Sequence, residues 1–303
     1  MPPQQRRVRD QMGPQPSLAA EALREEAVTR TGFDDFGSAD FVEGLACLIE
    51  SLEHEARLHT IGRVTAKAQI VDALSVRLEL VAHRKAHPEV DSERIERPLF
   101  VVGLPRTGTT LLHELLALDP TSRSPAMWEL SRPCPPPEPD TYTCDPRIAP
   151  LEQHLARLRR LVPTLDAIHR MRATLPHECL AAMAPSFWSY QYPFNFHVPG
   201  YLQWCEQADA APAYRFHHSF LQHLQSRFRR ERWVLKSPAH LGQLDALLAM
   251  YPDARIIQTH RDPVEVIPSV SSLHHVMQGF DRPVVTPLAI IFEDLLPGRK
   301  VVG

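Results

Sequence analysis

The sequence has few cysteines, and their spacing suggests neither a metal site nor a disulfide framework. Five occur in 303 residues, and no two of them form a C-x-x-C pair; they are Cys47, Cys134, Cys144, Cys179 and Cys205. This excludes a zinc ribbon and a small disulfide-stapled domain. A reducing, cytoplasmic setting is therefore our expectation.

Long apolar runs and an excess of one charge are also missing. No uncharged apolar run approaches the roughly 18 residues of a membrane span, and the first twenty residues are polar and proline-rich, unlike a signal peptide. Lys and Arg number 33 against 36 Asp and Glu, a formal charge of −3. We expect a soluble protein with no transmembrane segment and no nucleic-acid partner.

Metal-ligand spacing is absent from the histidines as well. His217, His218 and His223 do not form an i, i+4 pair, and His274 and His275 are adjacent. No metal is predicted.

Helical periodicity dominates the first third of the chain. Residues 1–30 show no sustained pattern and are predicted to be a loose tail, with at most a short helix at Ala19 to Val28. Apolar residues then recur at three and four positions through residues 31–96, including the run Val64 to His83. This segment is predicted to form a helical annex.

The period changes after residue 96, where short β-branched runs begin to alternate with helices. Leu99 to Val102, Trp233 to Lys236 and Ala254 to His260 read as strands, each followed by a loop and a helix. This alternation predicts a three-layer α/β core over residues 97–279, with a central parallel sheet and ligand-binding loops at the carboxyl ends of its strands. Residues 31–303 would form a single domain.

The loop after the first strand has the build of a phosphate-binding loop with one change. In FVVGLPRTGTTLLHELL, Gly103, Gly108 and Thr110 keep the spacing of the nucleoside-triphosphatase loop, but Thr109 replaces its lysine. Arg106 offers a cation in its place, and its planar fork suits a tetrahedral oxyanion.

The remaining features favour an anion site in this loop but not triphosphate chemistry. Pro105 stiffens the turn, and backbone amides at the helix start can bind an anion. No clear acidic residue follows a strand to hold Mg²⁺, because Asp262, the nearest candidate, precedes a proline as a helix cap does. The predicted anion-binding residues are Pro105, Arg106, Thr107, Gly108, Thr109 and Thr110.

Two motifs together resemble those of the sulfotransferases that use 3′-phosphoadenosine 5′-phosphosulfate (PAPS). GLPRTGTTLLHELL is similar to their 5′-phosphosulfate loop, in the P-R-x-G-T-T form that a bacterial branch shares with tyrosylprotein sulfotransferases. QTHRDPVEVIPSVSSL is similar to their 3′-phosphate segment, which places Arg261 and Ser269 at the family's eight-residue spacing. The resemblance covers roughly residues 40–279. It implies a P-loop-like fold, PAPS as co-substrate, and in-line transfer of a sulfuryl group to a hydroxyl of a small molecule, lipid or glycan.

The same resemblance suggests catalytic residues. Lys236 ends the second strand and, with Arg106, would stabilise charge on the moving sulfuryl group. A base must take the proton of the acceptor. Glu129, in PAMWEL, stands near the place of the catalytic glutamate of tyrosylprotein sulfotransferases. His240, four residues after Lys236, is the alternative, although the family histidine follows its lysine by two.

The walls of an acceptor pocket are the least readable part of the sequence. Residues 127–150 and 176–210 are the predicted walls. An aromatic-rich set could line the pocket or simply pack in the core; its members are Trp128, Phe187, Trp188, Tyr190, Tyr192, Phe194 and Phe196.

The last residues depart from the family pattern. Residues 280–303 lack the glycine-rich loop expected over the nucleotide, so we predict an atypical or truncated C-terminus. Two rival functions stay open: an inactive sulfonucleotide-binding module, which the missing segment suggests, and a metal-dependent nucleotide kinase, which the degenerate loop suggests.

Overall fold

The computed structural model describes residues 16–161 and 170–278. Strands within these ranges are β1 (Leu99–Val102), β2 (Ser122–Arg123), β3 (Arg232–Lys236) and β4 (Arg255–Gln258). The α-helices are α1 (Ala20–Thr31), α2 (Val42–His54), α3 (Thr60–Ala86), α4 (Thr109–Leu116), α5 (Met127–Ser131), α6 (Ile148–Leu161), α7 (Cys179–Met183), α8 (Gln191–Asn195), α9 (Pro199–Gln207), α10 (Ala211–Gln225), α11 (Leu244–Met250) and α12 (Pro263–Gln278). Short 3₁₀ helices span Ala39–Phe41, Pro88–Ser92, Pro139–Thr141, Ala184–Ser186 and Pro238–Gly242. The predicted atypical segment 280–303 lies outside the described residues.

A parallel sheet forms the centre of the molecule. Its strand order is β2-β3-β1-β4, and β1 pairs in parallel with both β3 and β4. Because carboxyl ends of parallel strands meet at one edge, the loops after β1, β3 and β4 lie together. The predicted three-layer, P-loop-like α/β fold with an N-terminal helical annex is confirmed. Strand β2, with two residues, was not predicted.

Burial explains why the inner strands are the most apolar. Phe100, Val101 and Val102 of β1 are fully buried. Val234 and Leu235 of β3 are at most 1% exposed. A strand covered on both faces has no need of polar alternation, so it reads as a continuous apolar run. These two strands give the phosphate loop and Lys236 a rigid base.

The N-terminal tail is shorter than predicted. The short helix suggested at Ala19 to Val28 is present as α1, and Leu23 and Ala27 on one face of it are completely buried against the annex. Sequence periodicity underestimated how much of this segment is helical. A narrow apolar stripe is enough to stabilise a helix once a neighbouring helix covers that stripe. Residues 1–15 of the predicted tail lie outside the described ranges.

The annex and the α/β core share a hydrophobic cluster, and Arg77 adds a buried polar connection between them. Arg77 of α3, which is 2% exposed, donates to the carbonyl oxygens of Phe36 (2.7 Å), Ser38 (2.6 Å) and Pro185 (3.2 Å). Asp40 Oδ1 accepts a further hydrogen bond at 2.9 Å. A buried guanidinium requires such partners, so this arginine fixes the annex against the segment that follows α7.

Candidate active site

The loop between β1 and α4 is held in a conformation that requires its glycines. Gly103 has φ 142°, and a Cβ there would lie 2.5 Å from Thr259 Oγ1. Gly108 has φ 92°, with open space around its missing Cβ. The first glycine allows close contact with the end of β4, whereas the second allows the backbone turn into the helix. The loop spacing in the sequence therefore has a direct structural cause.

A tight turn shapes the middle of the loop. Thr107 N donates to Leu104 O (3.3 Å), Pro105 occupies the second turn position, and Arg106 in the third has φ 69°. Proline followed by a residue of positive φ is the pattern of a type II turn. Thr107 Oγ1 also hydrogen-bonds Thr259 Oγ1 at 2.6 Å, which ties the turn to the segment after β4.

The first residues of α4 have the backbone geometry on which the anion-binding prediction depends. Gly108 caps the helix without a side-chain hydrogen bond, so the amides of the first turn point out of the helix end. Thr109 is buried at 4% exposure, and Thr110 is exposed. Amides at a helix N-terminus and the helix dipole together attract an anion.

The two predicted phosphate-binding segments meet. Arg106 Nε donates to Ser269 Oγ at 3.0 Å, and Arg261 Nη1 donates to Arg106 O at 3.3 Å. Ser269 and Arg261 therefore lie beside the loop in space, although they follow Arg106 by 155 or more residues in sequence. Arg261 also pairs with Glu265 at 2.7 Å, but both side chains are about half exposed, so this pair is weak. Asp262 accepts from Val264 N (2.9 Å) and caps α12 as predicted.

Lys236 lies where β3 ends, between the loop and a glutamate that we did not single out. Its Nζ donates to Glu178 Oε1 and lies 3.4 Å from Thr110 Oγ1. The lysine is 2% exposed, whereas the Glu178 side chain is 18% exposed and faces the cavity described below. An ammonium carries three donors, so one more can reach a bound ligand.

Glu129 is placed as a structural residue rather than as a base. It is completely buried, and it does not line the cavity. Its carboxylate pairs with Arg123 and accepts from Ala126 N and Tyr142 OH, both at 2.7 Å. The Ala126 contact belongs to the first turn of α5. With both oxygens occupied, this carboxylate has no approach for an acceptor hydroxyl, which argues against the catalytic role predicted from its chain position.

His240 is also directed away from the loops. It is 1% exposed, its Nδ1 hydrogen-bonds Tyr214 OH (2.7 Å), and its ring packs edge-on against Phe100. Burial lowers the pKa of His240 to about 3, so the imidazole is neutral. The 3₁₀ turn after Lys236 points this histidine into the core, which argues against its role as the alternative base.

Buried histidines predict a steep loss of stability in mild acid. Burial lowers the pKa of His113 to about 4 and that of His223 and His240 to about 3, and it lowers the pKa of His217 strongly. Each is near 6.5 in the unfolded chain. Below pH 6.5 the unfolded state thus binds more protons than the folded state. The free energy of unfolding keeps its full histidine contribution above that pH and falls as the pH drops towards 4, by up to about 1.4 kcal/mol per pH unit for each histidine.

Urea unfolding at pH 7, 6 and 5 measures this slope. We expect the midpoint to fall at each step, and a His240→Gln variant, which can still accept from Tyr214, to show a shallower fall. A midpoint that is constant across this range would contradict the burial of these rings.

A large cavity begins at the phosphate loop. Its volume is about 1590 Å³, above the roughly 300–1,000 Å³ of ordinary small-molecule sites. Arg106, Thr110, Glu178 and Arg261 line one part of it. Most of the remaining wall is apolar and comes from both predicted wall segments and α6; examples are Leu130, Leu151, Leu155, Leu180, Val198 and Leu202. The arrangement places the predicted anion-binding loop beside space for a bulky apolar ligand.

The aromatic-rich set divides between the two roles considered for it. Tyr190 and Phe194 line the cavity and are partly exposed, whereas Trp128 and Phe196 line it but are also packed in the core at 1% exposure. The others, Phe187, Trp188 and Tyr192, belong to the core and are at most 4% exposed. Sequence alone could not separate them, because apart from Trp128 the residues of both groups are interspersed within 187–196.

Two further features, a membrane-spanning helix and a metal-binding cluster, are absent from the described part of the chain. None of its helices is long and apolar enough to cross a bilayer. Within the same residues, no group of three or more His, Cys, Asp or Glu side chains is positioned to hold a metal ion.

Similarity to known proteins agrees with this geometry. The model of the sulfotransferase family matches residues 98–289. Omega-hydroxy-beta-dihydromenaquinone-9 sulfotransferase Stf3 of Mycobacterium bovis is 27% identical over 266 residues, which cover 82% of this chain. The chain spans 66% of the length of that relative.

Two crystal structures share the fold over most of the chain. Sulfotransferase STF1 of Mycobacterium tuberculosis H37Rv superposes with a TM-score of 0.80 and 34% identity, covering 88% of this chain and 73% of that one. Sulfotransferase STF9 of Mycobacterium avium superposes with a TM-score of 0.79 and 32% identity, covering 88% of this chain and 69% of that one. The family match includes the phosphate loop, Lys236, Arg261 and Ser269, and the chain therefore belongs to the sulfotransferase family.

Proposed function

We propose that this protein transfers a sulfuryl group from PAPS to a hydroxyl of a lipid-like acceptor. One observation carries the proposal: a lysine-free phosphate loop, Lys236 and the pair Arg261 and Ser269 converge at one part of a large apolar cavity. The loop would take an anionic group, and the cavity would take the acceptor.

The donor atoms at this site fit a nucleotide with anionic groups at both its 5′ and 3′ positions. The α4 amides and the Thr110 hydroxyl would hold the 5′-phosphosulfate, and Arg106 would add its charge. Arg261 and Ser269 would hold the 3′-phosphate, which nucleoside triphosphates lack. Bound PAPS would supply the sulfuryl group and leave as 3′,5′-diphosphoadenosine.

The buried pair of Lys236 and Glu178 would remove the proton of the acceptor and stabilise the negative charge that develops during transfer. Glu178 faces the cavity and would take the proton of the acceptor hydroxyl as general base. Lys236 fixes that carboxylate in position and presents its remaining N–H groups towards the loop, where they would stabilise negative charge as it develops. Because both groups are largely buried, these interactions act at low dielectric and are strong.

A lipid acceptor is favoured over a glycan by the lining of the cavity. A polysaccharide site needs many polar side chains, but this wall is mostly apolar and unusually large. The curated relative Stf3 is described as acting on a hydroxylated menaquinone, which is a lipid. The kinase alternative is disfavoured because Asp262, the nearest candidate ligand for Mg²⁺, caps α12 instead.

Replacing Arg261, which is predicted to bind the 3′-phosphate, tests the donor site. We expect Arg261→Ala to weaken the binding of 3′,5′-diphosphoadenosine by about 2 to 4 kcal/mol, because a charge-assisted contact is lost. Calorimetric titration measures this change. Arg255→Ala, at the opposite end of β4, is the matched control and should bind as wild type does. Unchanged affinity in Arg261→Ala would remove Arg261 from the site.

A further inference from the structure

The cavity has a second polar region on its α3 wall, away from the phosphate loop in sequence. Gln69, Asp72, Ala73, Val76 and Glu79 all line the cavity. Their spacing of three and four residues places them on one stripe of the helix. At about 1.5 Å per residue, this stripe is roughly 15 Å long, so the cavity contacts α3 over about that length.

Most polar groups of this wall are already used within the protein. Gln69 Oε1 accepts from Asn195 Nδ2 at 2.9 Å. Asp72 pairs with Arg30 at 2.6 Å and with Arg132 at 3.2 Å. Arg147 binds the Asp145 carboxylate through two nitrogens, at 2.7 and 2.8 Å. These contacts satisfy the polar ends of the side chains without any ligand.

Glu79 differs from these residues. Glu79 is half-buried, and its carboxylate forms no hydrogen bond or ion pair within the described part of the chain. Burial raises the pKa of Glu79, and the more distant charges of Arg132 and Arg30 offset this only in part. Val76 and Cys134 line the cavity with it, and burial, with a contribution from Glu79, raises the pKa of the Cys134 thiol to about 12.

A carboxylate withdrawn from water without a partner costs free energy, which a ligand can recover by donating a hydrogen bond. We propose that Glu79 is a specificity-determining residue that accepts a hydrogen bond from a second polar group of the acceptor, remote from the hydroxyl that receives the sulfuryl group. The acceptor class is then an elongated apolar molecule with donors at both ends. This inference rests on the proposed function, which places the reacting hydroxyl at Glu178.

Pairs of 1-alkanols and α,ω-alkanediols test the inference, with chains of roughly 8 to 16 carbons so that a series of spans between Glu178 and Glu79 is sampled, extended lengths that bracket the roughly 15 Å of the stripe. Calorimetric titration is performed on the protein saturated with 3′,5′-diphosphoadenosine. We expect the best-fitting diol to bind about 10 to 100 times more tightly than the matching alkanol. Glu79→Leu should remove this preference, and Glu79→Gln, whose amide oxygen still accepts, should retain part of it.

Glu206 supplies a matched control, because it is an exposed carboxylate on the same cavity. Glu206→Leu should leave the preference for the diol unchanged. Thermal unfolding gives a second readout: Glu79→Leu should unfold at a higher temperature than wild type, since an unpaired carboxylate is replaced by an apolar group.

Three outcomes overturn the inference: equal affinities for diol and alkanol in wild type, a preference that persists in Glu79→Leu, or no binding of either probe. Binding of 3′,5′-diphosphoadenosine is measured separately beforehand. Its failure would contradict the proposed donor site, so the two failures are distinguishable.

Discussion

A Glu178→Gln variant is expected to lose turnover by a factor of about 10² to 10⁴ while it binds 3′,5′-diphosphoadenosine as tightly as wild type. The amide is nearly isosteric and can still accept from Lys236, but it cannot take a proton. The effect should therefore appear in kcat. Transfer from ³⁵S-labelled PAPS to a long-chain alcohol measures it.

The control for this variant is a carboxylate on the same cavity wall. Glu206→Gln changes the same chemistry at an exposed position and should keep full turnover. If Glu178→Gln retained wild-type kcat, the base would lie elsewhere, and the pair with Lys236 would be structural only.

Glu129→Ala is expected to lower the free energy of unfolding by about 3 to 5 kcal/mol, since it leaves a buried charge unpaired. Arg123 is 4% exposed, and its guanidinium packs over Phe228 and Trp233. The substitution also removes an acceptor from Tyr142 OH and Ala126 N. Urea unfolding measures the loss.

A double substitution separates the buried charge from the lost packing. Glu129→Leu with Arg123→Met should recover much of the stability, because an apolar pair replaces an ion pair without stranding either charge. The contrary finding would be a Glu129→Gln protein of wild-type stability that lacks turnover, which would restore Glu129 as the base.

Local patterns were sufficient to predict that the segments of the proposed donor site come together. Gly103, Gly108 and Thr110 are fixed by spacing within one loop, Lys236 ends one readable strand, and Arg261 follows shortly after another. Because parallel strands place their carboxyl ends at one edge, assembling these segments required only the correct fold class.

Residues whose roles depend on tertiary contacts could not be predicted in this way. Glu178 lies 58 residues before Lys236 in the chain, and nothing in PHECLA marks it as the partner of that lysine. Glu129 was chosen from its place after α4, but its burial depends on Arg123 and Tyr142, which no periodicity reveals. The same limit applies to His240, whose direction is set by a 3₁₀ turn.

The central claim is that this site binds a 3′-phosphorylated sulfonucleotide, and one titration tests it most directly. The purified protein is titrated with 3′,5′-diphosphoadenosine and, in parallel, with ATP and Mg²⁺. We predict tight binding of diphosphoadenosine and at least tenfold weaker binding of ATP, about 1.4 kcal/mol or more, because only the former offers a phosphate to Arg261 and Ser269. Mg²⁺-dependent binding of ATP, or no binding of either nucleotide, would contradict the account.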